Sequence, residues 1–109
     1  MERKASKVVG LMNAANFEKE VRDRSQFTHM VFITDHVLLD NADRNITRPM
    51  ILRALRKGTV ASDPHWNSDH ANWTGKMSYI GTGMELTVVC AIKDDVLTVT
   101  VVTAYGAPR

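Results

Sequence analysis

A chain of 109 residues with a formal net charge of +2, 44% apolar and 24% charged residues has the size and balance of one ordinary domain with one modest core. That balance excludes a disordered tract, a strongly basic duplex coater and a strongly acidic nucleic-acid mimic. No apolar run approaches the ~20 residues of a bilayer-spanning helix, and the lone Cys90 excludes an internal disulfide and fits a reducing cytoplasm.

The basic start gives way quickly to Glu18, Lys19 and Glu20, which argues against a cleaved leader. Residues 6–24 read as a first helix capped by Ser6. Val8, Leu11, Met12 and Ala15 recur at helical steps, Phe17 and Val21 add a pair, and Gly10 weakens the first turns. Glu18–Arg22 and Glu20–Arg24 are ion pairs in the favoured acid-first order. HMVFIT, residues 29–34, reads as a strand. Thr34 or Asp35 then caps a second helix that stops at Asn45. Thr47 caps a third, with Pro49 in its first turn, Met50, Ile51, Ala54 and Leu55 as its buried stripe, and Gly58 as its terminator.

The second half reads as an antiparallel meander. TVAS is a short strand, and DPHWNSDHANWTG, residues 63–75, is a long polar loop closed by Gly75. KMSYI, ELTVVCAI and VLTVTVVTAY are strands joined by GTG and KDD turns, and GAPR is a frayed tail. Leu86, Val88, Cys90 and Ile92 share one face, as do Leu97, Val99, Val101 and Tyr105 on the last strand. Lys76, Ser78, Thr87, Thr98 and Thr100 point the other way. The expected fold is α+β: two to three N-terminal helices packed on one face of a three- to four-stranded antiparallel sheet, in a single domain spanning 1–109 with a first helix in 1–28. The open polar face is a surface suited to something extended.

Candidate chemistry gathers in three places. His36 lies in the first turn of the second helix, and a neutral imidazole there can act as a general base. Arg44 follows about two turns, ~12 Å, further on, so both can border one cavity without touching. Against this stands the plainer possibility that His36 caps its helix and Arg44 pairs with Asp40. Arg48, Arg53, Arg56 and Lys57 can clamp phosphates with their cationic donors, although a charge cluster is more often a solvated helix face. Trp66 and Trp73 can stack bases while His65 or His70 moves protons, or they can simply pin the loop to the sheet. Asp63, His65, His70 and Cys90 assemble into a zinc set only with a non-standard HxxxxH spacing and a core-facing thiol, so no metal and no cofactor is expected.

The segment TDHVLLDNADRNITRPMILRALRKGTV resembles the opening of the small bacterial domains grouped as domain-of-unknown-function family 4258. That opening runs strand, histidine, helix ending in Arg-x-Ile, then a helix ending in Gly, here His36, Arg44, Ile46 and Gly58. WTGKMSYIGTGMELTVVCAIKDDVLTVTVVTAY looks like the family's strand meander, so the resemblance covers residues 29–105. It implies a compact toxin-like fold shared with messenger-RNA interferases, barnase and tRNA-cutting colicins, which cleave RNA without metal by 2′-hydroxyl attack. Family members often carry a second basic residue in the first helix, where this chain has Asp40, which leaves room for a descendant that binds without cutting.

The resulting expectation is a cytoplasmic, metal-independent, toxin-like ribonuclease. His36 is its base, Arg44 and Lys76 steady the phosphate, His70 or Tyr105 is the acid, and Arg48, Arg53, Arg56, Trp66 and Trp73 hold nucleic acid. Its partners would be RNA or a protein, either a cognate antitoxin or an inhibited target, with no membrane, and the apolar first helix would be either intramolecular cover or a homodimer contact. The alternative is a non-enzymatic interaction module, such as a phage or mobile-element protein that binds and blocks a larger nucleoprotein machine. Convergence of His36, Arg44 and Lys76 in one cleft separates the first class from the second.

Overall fold

A computed structural model describes residues 12–40, 45–81 and 83–108. Helix α1 (Ala14–Arg24) begins where the Asn13 side chain accepts the Asn16 N–H, so the first cap is Asn13 rather than Ser6. Ser6, Val8, Gly10 and Leu11 lie outside the described residues. A 3₁₀ turn (Thr28–Met30) leads into β1 (Val31–Ile33), and α2 (Asp35–Asp40) follows, with Thr34 Oγ1 accepting the Val37 N–H. Asn45, at the expected stop, has φ 60°. Helix α3 (Arg48–Lys57) has the predicted Thr47 cap and early proline.

Four long strands complete the chain: β2 (Thr59–Asn67), β3 (Asn72–Gly81), β4 (Met84–Ile92) and β5 (Val99–Pro108). The predicted 63–75 loop is therefore a hairpin, with only residues 68–71 in the turn between β2 and β3. The tail expected to fray is strand as far as Pro108, paired with Met84. The sheet has five strands in the order β1-β5-β4-β3-β2. It is mixed rather than antiparallel, because β1 runs parallel to β5, with Val31 opposite Val99 and Ile33 opposite Val101. A strand followed by helices can rejoin a sheet in parallel at its edge, and the short apolar β1 does so.

The helices contribute to one core that lies on a single side of this sheet. Phe17 and Val21 of α1, Val37 of α2, and Ile51, Ala54 and Leu55 of α3 share that core with Met77, Val88, Cys90, Val99 and Val101. Phe17 and Val21, the apolar pair of the first helix, thus serve as intramolecular cover. Gly75 sits in the middle of β3 because a Cβ there would lie 2.6 Å from Phe17 Cε2, so glycine is what admits the ring. Gly58 closes the α3–β2 corner in the same way, since a Cβ would stand 2.4 Å from the Ala54 carbonyl oxygen and 2.6 Å from that of Ser78.

Three arginines tie the helical layer together. Arg22 donates to the Gly58 carbonyl at 2.7 and 3.0 Å, joining α1 to the end of α3. Arg24 reaches the Lys93 and Val96 carbonyls at 2.8 and 3.0 Å and Glu20 at 3.1 Å. Arg56 donates to the Ser25 carbonyl at 2.6 Å and to Thr28 Oγ1 at 2.8 Å. Both acid-first pairs of α1 form, Arg24–Glu20 at 3.1 Å and Arg22–Glu18 at 3.8 Å. Lys19 meets Asp23 at 2.8 Å, and that hydrogen bond holds the ammonium pKa above its usual value. Edge strand β2 carries two register shifts and Pro64, irregularities that discourage further strand pairing.

Candidate functional site

The opposite side of the sheet has no helix of the described residues packed on it. Register places Phe32 of β1, Thr100, Thr103 and Tyr105 of β5, Glu85, Thr87, Val89 and Ala91 of β4, and Thr74, Lys76, Ser78 and Ile80 of β3 on this open side. His65 joins them from β2, opposite Thr74. Tyr105 reaches this side because β5 gains one residue: Val89 pairs with Thr103 but Cys90 with Val101, which leaves Val102 as a bulge. Past the bulge the alternation inverts, so Ala104 faces the core and Tyr105 does not. This corrects the predicted common face of Val99, Val101 and Tyr105. Leu97, placed on that face too, precedes β5 and is exposed.

At one end of the open side lies a trough of about 200 Å³ lined by Phe32, Asn72, Ala91, Lys93, Thr98 and Thr100. Ala91 forms an apolar floor beside the Phe32 ring, which is 54% exposed. Asn72 Oδ1 already accepts the Thr74 hydroxyl at 3.0 Å, which fixes the amide. Among the described residues the Lys76 and Lys93 ammonium groups make no side-chain bond, so both are available to an anion. Further along, Ser78 donates to a Glu85 carboxylate oxygen at 3.0 Å. Glu85 and Tyr105 are diagonal neighbours across β4 and β5, about 7 Å apart.

The residues singled out from the sequence do not form one cleft. His36 is exposed on α2, whose Val37 enters the helix-side core, whereas Lys76 occupies the open side. The strand that α2 packs against, β5, also lies two spacings, ~10 Å, from β3. One phosphate cannot rest on both groups. Arg44 lies outside the described residues. His70 is in the β2–β3 turn, where Asn67 Oδ1 accepts the Asp69 and His70 N–H groups. Tyr105 lies level with Ser78, six residues from that end, so the two candidate acids are ~20 Å apart along the sheet.

The tryptophans are a cross-strand pair with ring centroids 5.4 Å apart and an interplanar angle of 64°. Trp73 is 5% exposed and belongs to the core, with Trp66 packed against it, so Trp73 offers no stacking surface. Arg56 is committed to Ser25 and Thr28 rather than to phosphate. Arg48 and Arg53 stay exposed on α3, on the helix side. Among the described residues no group of three or more His, Cys, Asp or Glu side chains is placed to hold a metal ion. Cys90 is sealed in the core, where burial pushes its thiol up to about 12.

The sequence reading passed over Phe32, Asn72, Lys93 and Glu85. Alternation within HMVFIT does mark Phe32 as opposite in phase to Val31 and Ile33, but nothing in so short an apolar run says that its other face is bare. No family model, no curated protein and no solved structure matches this chain. No helix among the described residues is long and apolar enough to cross a membrane.

Proposed function

We propose that this chain binds single-stranded RNA on the open side of its sheet. The carrying observation is the trough that sets an exposed phenylalanine ring beside an amide, two threonines and a lysine. Bases stack on aromatic rings and are read by amide and hydroxyl groups, while lysines hold the backbone. Lys76 and Tyr105 extend the same chemistry along the sheet. A short fluorescein-labelled oligouridine titrated with the protein in chelator should show saturable anisotropy. Phe32→Ala should weaken it about tenfold, the scale of one lost stacking contact. With two lysines engaged, the log–log salt slope should be about −1.4. An unchanged affinity in Phe32→Ala, or binding that needs the helix-side arginines, sinks the reading.

A second reading keeps the cleavage that the resemblance to family 4258 implies. The observation favouring it is the bulge, which brings Tyr105 to the same side of the sheet as Glu85, its diagonal neighbour across β4 and β5. In that reading Glu85 takes the 2′-hydroxyl proton, the oxygen attacks phosphorus, and Tyr105 protonates the departing 5′ oxygen. Lys76, two rows and ~13 Å along the strands from Glu85, holds a neighbouring phosphate rather than the reacting one. The RNA recovered from the titration, run on a denaturing gel, separates the two. Intact RNA supports binding alone, and fragments that disappear in Glu85→Gln support cleavage.

A further inference from the structure

On the helix side, between α3 and the far ends of β3 and β4, lies a second cavity of about 350 Å³. This volume falls at the small end of ligand pockets, which span roughly 300–1,000 Å³. Met50, Met84 and Leu86 give it an apolar lining, and Arg53 and Tyr79 add the polar groups. Arg53, which lines this cavity, differs from the arginines that tie the layer together. Arg22, Arg24 and Arg56 are spent on carbonyl oxygens. Arg53 makes no hydrogen bond or ion pair among the described residues, and the half-buried Tyr79 hydroxyl has none either. Methionine side chains are unbranched and polarisable, so such walls adapt to the flat or branched body of a guest.

From this cavity we infer a binding site for a small amphipathic anion, an aromatic or branched carboxylate whose body enters between Met50 and Met84 and whose head pairs with Arg53. The planar guanidinium suits a carboxylate because two parallel N–H donors meet its two oxygens. The Tyr79 hydroxyl supplies a further donor to the same head. The cavity is built on the covered side of the sheet, so its occupation is independent of RNA binding.

The test uses 2-naphthoate and its neutral counterpart 2-naphthamide, titrated into the full chain and followed by amide and methionine-methyl chemical shifts. Naphthoate should shift Met50, Tyr79 and Met84 saturably. Arg53→Gln, an exposed substitution that leaves the core intact, should weaken naphthoate about tenfold and leave naphthamide unchanged. Phe32→Ala should alter neither titration. Shifts that do not saturate, that centre on Phe32 and Lys93, or that are the same in Arg53→Gln overturn the assignment.

Discussion

Phe17 and Phe32 are the same side chain on the two sides of one sheet. Phe17 is fully buried, seated over Gly75, while Phe32 stands more than half exposed beside Lys93. The arginines divide in the same sense: Arg24 and Arg56 bind carbonyls that their own chain leaves unpaired, and Arg53 is uncommitted. The pairs teach that residue type does not separate structural from functional positions in this molecule. What separates them is whether the chain supplies the partner.

The sharpest way to break that comparison is to truncate each phenylalanine. Phe17→Ala should cost about 3–5 kcal/mol, the usual range for a large core ring, read from urea unfolding. Phe32→Ala should change stability by less than about 0.5 kcal/mol while weakening RNA. Equal losses would mean that the open side is really a covered one. Next in size is Arg56→Gln, which strips the Ser25 carbonyl of its donor and should cost about 1–3 kcal/mol. Arg53→Gln should cost almost nothing by the same measurement.

Cys90 sharpens the comparison through pH. Its thiol ionises near 9.0 when free and at about 12 in the fold, because burial penalises the thiolate. Between those values the unfolded chain has released the proton that the folded chain keeps. Stability therefore falls as pH rises, by up to ~1.4 kcal/mol per unit, and below the lower value the effect vanishes. Cys90→Ala should remove this alkaline component, seen as a smaller drop in the urea midpoint between about pH 8 and pH 10. Thr47→Ala is the mildest of the destabilising changes, about 1 kcal/mol for the lost bond from the Met50 N–H.

Local chemistry made much of the helical half legible. Thr47, Pro49 and Gly58 marked α3, the Glu18–Arg22 and Glu20–Arg24 pairs formed, and the apolar stripes of α3 and β4 entered the core as spaced. The errors have physical causes. Polar residues around Pro64 and His70 look like loop, yet β2 and β3 pair through them because the Trp66–Trp73 contact anchors that end. The parallel place of β1 depends on contacts some seventy residues apart, which no local pattern carries. The candidate site fared worse for the same reason. Lys76 and Tyr105 were both singled out from the sequence, but their company on the open side depends on strand order and on a bulge.

That single extra residue at Val102 acts as a phase shifter for everything after it. Excising it would join Val101 directly to Thr103 and let the ladder run on without a break, with Thr103 still opposite Val89, Ala104 still over the core and Tyr105 still on the open side. A one-codon deletion there should therefore be tolerated better than one in the regular part of the strand, and Val102 itself, half in solvent, should accept almost any side chain.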